Sequence, residues 1–386
     1  MKKCAILITL FILLVSCSSE KSDTVIKAEH TIVVDEKLFN TKRKASDIIS
    51  TMTIVPLETS DESLVGNIDK IVPKGDTLFF QDNLGKSILL FDRRGKFLNK
   101  IRRYGQGPGE YLTLDDFTVT RSGKIIILDG EFRKLIFLDE KGEYLSQQKI
   151  PIYVNALECI DDTLIVFNGA STNDRVIIWD FHKEKVVSSH IRYDRRYSTK
   201  ILKPLIKYGD IIYFQRAKSS VIYKVTTENL EEKWFIDFGK RNINLKNLEQ
   251  VYPIGNYVAP DYYIEMNRFI ESDKYILFDF RCNELSDYNF FMYYSKTTGT
   301  QICFNNNRFQ DDKFFLKYMY FARAVSATNE FVSCMPPQYV LEGVSSYNPK
   351  DMKLEELERY NDLKRQIQNI NEFDNHVIVF FTLNDF

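Results

Sequence analysis

Over most of the chain, apolar positions come in short bursts rather than at helical intervals. Residues 64–101, "LVGNIDKIVPKGDTLFFQDNLGKSILLFDRRGKFLNKI", hold four such bursts, "NIDKIVP", "TLFFQD", "SILLFD" and "KFLNKI", separated by turns rich in Gly, Asp and Lys. β-Branched and aromatic runs of this length between such turns read as an antiparallel meander of four strands. The segments "DRRGK" and "DEKGE" put Asp and Gly where a tight hairpin needs them.

The pattern recurs along the chain. Set without a gap beneath residues 64–101, residues 111–148 bring Asp129 under Asp82, Asp139 under Asp92, Gly142 under Gly95 and Leu145 under Leu98, each pair 47 apart. A third copy follows in "DDTLIVFNGASTNDRVIIWDFHKEKVV". There Asp162-Thr163-Leu164 echoes Asp76-Thr77-Leu78 at an offset of 86, and Trp179-Asp180 echoes Phe91-Asp92 at 88, which places a two-residue insertion in the intervening loop. Weaker copies lie at 209–225 and 273–304, and "NEFVSCMPP" (329–337) begins the middle of a sixth.

Four-stranded units repeated every 40 to 50 residues or so are the mark of a β-propeller, and the count here gives six blades. The last strand, His376 to Leu383, leaves the sixth blade one strand short, while the strand Met52 to Glu58 precedes the first blade unassigned. The expected fold is all-β, a six-bladed propeller whose N-terminal strand completes the last blade and so removes an open sheet edge. One segment departs from the pattern: residues 351–370 place Leu354, Leu357, Tyr360, Leu363, Ile367 and Ile370 at helical spacing. It reads as an amphipathic helix inserted in blade six and packed on the ring.

The first residues follow a different rule. Lys2 and Lys3 precede an apolar run from Ala5 to Val15, then Ser16 and Cys17, the arrangement of a signal peptide, and the run is well short of the roughly twenty residues that span a bilayer. "LVSC", Leu14 to Cys17, resembles the lipobox cut by the bacterial lipoprotein signal peptidase. Residues 1–16 are then a leader and Cys17 the lipidated first residue of the mature chain, its acyl chains anchoring it at about 0.8 kcal/mol per buried methylene. Residues 17–45 are mostly polar and read as a flexible tether, and residues 46–386 form the propeller.

Composition narrows the partners. The 52 Lys and Arg residues nearly balance 53 acidic ones, and loss of Lys2 and Lys3 barely changes this, so the charge carries no nucleic-acid footprint. Cys159, Cys282, Cys303 and Cys334 are widely spaced with no CxxC pairing and read as small buried residues rather than a disulfide framework.

The lipobox, "PLETSDESLVGNIDKI" (Pro56 to Ile71), "GQGPGEY" (Gly105 to Tyr111) and the late helix followed by "FDNHVIVFFTL" together resemble the six-bladed β-propeller lipoproteins of Bacteroidota, over nearly the whole mature chain. The blades are similar to NHL-repeat propellers, with Gly109-Glu110-Tyr111 at the Gly-x-Phe turn and Asp129 at the strand-ending Asp. Leu114 or Asp115 stands where those repeats carry a proline, so no specific NHL activity transfers. The resemblance implies a fold and an outer-membrane location, with the periplasmic or surface side left open.

No familiar catalytic set is present in the sequence. "GQGPGEY" lacks the Lys-Ser/Thr of a phosphate loop and leads into strands, neither G-x-S-x-G nor H-E-x-x-H occurs, and His30, His182, His190 and His376 are scattered. The leading expectation is a non-enzymatic binding or scaffold module for a glycan, peptide or envelope protein. In a four-stranded blade, the loop joining the second and third strands lies at the same end as the junction to the next blade. "RRYGQGPGEY", "DNLGK" (82–86) and "DGEFR" (129–133) should therefore rim one mouth of the channel, where function resides on scaffolded folds. The candidate ligand contacts are Arg102, Arg103, Tyr104, Arg133 and Tyr257, arginine for bidentate bonds to carboxylates and tyrosine as an amphipathic surface for sugars or peptides. Tyr257 belongs to the tyrosine-rich stretch 247–269. Two alternatives stand beside this reading. One is a divalent-metal-dependent hydrolase similar to gluconolactonase-like propellers, with Ca²⁺ held in the channel by Asp69, Asp115 and Asp116, residues that otherwise cap turns. The other is an accessory lipoprotein of a nutrient-uptake complex.

Overall fold

The computed structural model describes residues 27–170, 172–194, 203–243, 264–282, 285, 289–316 and 321–386. In each blade the strands are lettered a to d from the ring axis outward. Blade one runs a Ile68–Lys74, b Thr77–Asp82, c Ser87–Asp92 and d Phe97–Ile101, paired antiparallel in chain order. Blade two occupies Asp116–Val119 to Tyr144–Lys149, blade three Val154–Cys159 to Lys185–Arg192, blade four Leu205–Tyr208 to Leu230–Asp237 and blade five Glu265–Glu271 to Gln301–Phe304. Blade six takes a, b and c from Ala324–Val325, Phe331–Met335 and Val377–Leu383, and its strand d is Ile49–Pro56 from the N-terminal part of the chain. The six-bladed ring is closed as the repeats predict.

Core packing explains the unbroken apolar runs. Alternate residues of a strand face opposite sides of its sheet, and both sides are buried against neighbouring blades. Phe79, Ile88 and Leu90 thus pack toward blade two, while Phe80, Leu89 and Phe91 pack toward blade six. Six apolar clusters result, one for each interface of the ring.

The repeated polar residues hold turns. Asp92 Oδ1 accepts from the N–H groups of Arg94 and Lys96, and Asp139 Oδ1 does the same for Lys141 and Glu143. Asp82 accepts from the N–H groups of Gly66 and Asn67, and Asp129 from that of Leu112, so each pins the chain where it enters its blade. In blade three Leu164 faces Asp180, as Thr77 faces Asp92 in blade one. One of the two extra residues therefore lies in the a–b turn rather than the b–c loop, a correction to the ungapped echo of Thr163.

Three further features refine the expectation. The N-terminal segment is structured well before residue 45: His30–Val33 pairs parallel with strand d of blade four, and Ile32, Val34 and Phe39 join the core between blades four and five. Polar neighbours disguise this four-residue strand, which buries Ile32 and leaves Val33 63% exposed. The insertion in blade six holds two helices, Pro337–Ser345 and Leu354–Gln366. The second is the one expected, with Tyr360, Leu363 and Ile367 buried in the cluster between blades five and six, and the first begins at a proline pair that read as the end of a strand. Cys159, Cys282, Cys303 and Cys334 are free and buried, and burial pushes the Cys159 thiol up to about 12.

Candidate functional site

A cavity of about 1430 Å³ runs along the ring axis and is lined by strand a of all six blades. Its two ends differ because every strand a starts from an interblade junction and finishes in an a–b turn. At the a–b end, Arg121 of blade two pairs with Asp210 of blade four at 2.8 Å, and the Tyr208 hydroxyl donates to Asp273 at 2.7 Å and to Asn329 at 2.9 Å. These bonds tie turns of different blades together.

Inside the channel, toward its junction end, four charged side chains meet. Lys70, from blade one, places its ammonium 3.0 Å from Asp116 of blade two and 2.6 Å from Glu158 of blade three. It also donates to the Phe117 carbonyl at 2.7 Å. Lys203, arriving from blade four, lies 3.5 Å from Asp116 and donates to Gln81 Oε1 of blade one at 3.2 Å. Thr118 donates to Glu158 Oε2, and the Leu157 N–H to Asp116 Oδ2. Burial alone would lower the Lys70 pKa, but Asp116 and Glu158 hold it above the usual lysine range. Burial would raise the Asp116 carboxyl, but Lys203, Lys70 and the Leu157 N–H hold it below the usual carboxylate range. Two cations and two carboxylates thus form a neutral, closely bonded set joining blades one to four.

At the junction end, blades five and six supply three arginines. Arg268 makes two bonds of 3.0 Å to Asp279, and Arg281 lies 2.7 Å from Glu265. Arg323 donates through Nη1 to the Ile68 carbonyl across the seam between blades six and one. Among the described residues, ten lysines and arginines line the cavity against seven carboxylates, an excess of positive charge in a chain whose net charge is −1.

The glycine-rich junction forms a wrapped turn around its own carboxylate. The Gly107 N–H donates to Glu110 Oε2 at 2.7 Å, and a Cβ on Gly105 would sit 2.1 Å from that same oxygen. Gly109 has φ +74°, and a Cβ there would meet the Tyr144 ring at 2.5 Å. The glycines therefore make room for Glu110 and for the next blade. The buried Tyr111 hydroxyl donates to the Lys86 carbonyl at 2.9 Å.

The candidates beside this junction are placed differently from expectation. Strand d is the outermost strand, so residues following it start at the periphery and the chain reaches the cavity wall only at Thr113. Arg102 donates to Gly85 O at 3.2 Å, and Arg103 to Gly142 O and Glu143 at 3.0 Å each. Tyr104 is about half exposed beneath the Lys86 ammonium, and the Arg133 guanidinium stacks on Tyr153. Of the expected rim only Asn83 and Lys86, from the b–c loop of blade one, line the cavity. Tyr257 and Cys17 lie outside the described residues.

The three aspartates also separate. Asp69 lines the cavity and accepts from Asn67 Nδ2 at 2.7 Å. Asp115 lines it too, but its Oδ2 accepts from the Gly130 N–H at 2.8 Å and from the Thr113 hydroxyl. Asp116 is 2% exposed and belongs to the Lys70 set. Among the described residues, no group of three or more His, Cys, Asp and Glu side chains is arranged to hold a metal ion. Lys70, Glu158 and Lys203 carried no local signal in the sequence, since each sits alone on a strand or beside one.

A solved structure of a protein from Bacteroides fragilis NCTC 9343 described as exported is similar in fold, with a TM-score of 0.75 at 18% identity, covering 92% of this chain and 100% of that one. A second, a member of the DUF4221 family from Bacteroides vulgatus, gives 0.47 at 10% identity over 88% of this chain and 98% of that one. No curated protein matches the sequence. Among the described residues no helix is long and apolar enough to cross a membrane. The family described as "Domain of unknown function (DUF4934)" matches residues 29–382, and the chain belongs to it.

Proposed function

We propose that this chain is a lipid-anchored module of the cell envelope that binds its ligand, without chemistry, at the junction end of the central cavity. The observation that carries the reading is the preformed cavity of about 1430 Å³, lined along the inner strands of all six blades and carrying charged side chains such as Lys70, Glu158 and Arg268. Ligand sites of this kind are concave, preformed and furnished with a few fixed polar groups. The cross-channel bonds of Lys70 and Lys203 hold those groups in place without help from a ligand. Partners of the proposed classes are a glycan, a peptide or an envelope protein. The Cys17 lipid supplies the attachment to the outer membrane, and the similar fold of the Bacteroides fragilis protein described as exported supports export of this chain.

Two measurements test this. The full-length chain with Cys17→Ser should move from the membrane pellet to the soluble fraction, and persistence in the pellet would refute lipid anchoring. Residues 18–386 should gain thermal stability with one ligand class from a panel of oligosaccharides, peptides, lactones and esters. Release of hydrolysis product from any of them would replace the binding module by an enzyme.

A further inference from the structure

The inner strands carry a threefold irregularity. In blade one the pairing slips between Ile68 and Lys70, which face Asp82 and Gln81. In blade three it slips between Val154 and Ala156, facing Gly169 and Asn168, and in blade five between Met266 and Arg268, facing Phe280 and Asp279. These are β-bulges on the same rung of strand a in alternate blades, and a bulge leaves its extra residue unpaired and re-aims the side chain. The extra residues are Asp69, Asn155 and Asn267, and all three line the cavity. Strand a of blades two, four and six pairs without a slip.

Two of the three side chains are held by neighbours. Asp69 Oδ1 accepts from Asn67 Nδ2, and Asn155 Oδ1 accepts from Asn168 Nδ2 at 2.6 Å. The second bond leaves the Asn155 amide N–H groups as donors. Short carboxylates and carboxamides set around an axis can donate to and accept from adjacent hydroxyl groups.

Arg323 adds a charge to this ring. Its Nη1 donates to the carbonyl of Ile68, the residue that opens the blade-one bulge, and a carbonyl takes one of its five N–H donors while supplying no countercharge. Among the described residues no carboxylate lies within ion-pair distance of it, whereas Arg268 and Arg281 have Asp279 and Glu265. A guanidinium in that state is matched by a ligand carboxylate.

We infer that the junction end of the channel binds an acidic oligosaccharide, its hydroxyl groups on Asp69, Asn155 and Asn267 and a uronic-acid carboxylate on Arg323. Asp69, Asn155, Asn267 and Arg323 come from blades one, three, five and six, and groups spread around the axis in this way suit several sugar units rather than one. The inference rests on the binding-module reading and names its ligand.

The test is calorimetric titration of residues 18–386 with tetragalacturonate and, as a matched neutral sugar, cellotetraose. Tetragalacturonate should bind at least tenfold more tightly. Arg323→Gln should abolish that preference and Arg323→Lys should keep part of it. Asn155→Ala with Asn267→Ala should weaken both sugars at least tenfold, with circular dichroism confirming that each variant is folded. Equal binding of the two sugars, or an Arg323→Gln variant with unchanged preference, would overturn the acidic-sugar assignment while leaving a channel-binding module intact. Failure of tetragalacturonate to bind overturns the assignment outright, and the module itself is then judged on the wider ligand panel.

Discussion

Lys70 is the residue on which the inner channel depends most. Its ammonium meets Asp116 and Glu158 where neither carboxylate is more than 4% exposed. Removing one partner of a buried charge set strands the others, at a cost of about 3–5 kcal/mol, so Lys70→Met should lower the urea-unfolding free energy by that amount. Adding Glu158→Gln to Lys70→Met should recover part of the loss, because one cation and one carboxylate are then gone and Lys203 still faces Asp116. The pH dependence follows from Asp116, whose folded carboxyl is held below its ordinary value. In the native protein its contribution is complete above the unfolded value of about 3.9 and fades as pH falls through the lower folded value. Lys70→Met takes away part of that depression, so its deficit should hold steady from pH 7 to about pH 4 and narrow only below it, as the carboxyl protonates in the variant first. A deficit that stayed constant below about pH 4 as well would separate Lys70 from the carboxylates. None of this was legible in the sequence. Lys70 and Asp116 are 46 residues apart, and only ring closure through successive blades brings them together. The ungapped repeat even sets Asp69 against Asp116. The blade-one bulge makes Lys70 the true counterpart, since Lys70 faces Gln81 as Asp116 faces Leu128.

Elements were far more legible than sites, because a four-stranded blade is a local object. Turn chemistry and apolar bursts repeat within about 40 residues, and Thr77–Asp82 and Ser87–Asp92 fall where the bursts do. The repeat also paired Gly95 with Gly142, and both take positive φ, +83° and +85°, in the c–d turn. Their surroundings differ in a way the alignment does not reveal. A Cβ on Gly95 would lie 2.2 Å from the Pro56 carbonyl oxygen, whereas one on Gly142 would meet Ile101 Cγ1 at 2.6 Å. A side chain can move aside and a backbone carbonyl in the closing strand cannot. Gly142→Ala should therefore cost about 1–2 kcal/mol, the usual penalty of a left-handed non-glycine residue, and Gly95→Ala clearly more in the same denaturation assay. Equal losses would mean that φ alone decides and that the closing strand yields. The elements that escaped sequence reading are those whose burial is supplied from outside: His30–Val33, completed by strand d of blade four, and Pro337–Ser345, whose Val340 and Val344 pack into the cluster between blades five and six.

At the scale of the whole molecule, each blade packs mainly on its two neighbours, so stability resembles that of a repeat array bent into a circle. The circle is joined at one seam, where Ile49–Pro56 pairs with Val377–Leu383 at seven positions. Arg93 of blade one reinforces it, with its guanidinium over the Phe380 ring and an ion pair to Glu330. Two truncations separate the jobs of the N-terminal segment. A chain starting at residue 45 loses Ile32, Val34 and Phe39 from the interface of blades four and five, about 1.5–3 kcal/mol for each buried side chain. It should still unfold in one transition, at a lower urea midpoint. A chain starting at residue 58 lacks the seam strand. It leaves strand c of blade six as an unpaired edge with Phe380 and Phe381 beside it, and such an edge invites pairing between chains. That chain should elute as aggregates on size exclusion and lose its cooperative transition, and a synthetic peptide of residues 46–58 added during refolding should restore the monomer. If the chain starting at 58 were instead monomeric with a native midpoint, the seam would be dispensable and blades one to five would have to be stable as an open arc.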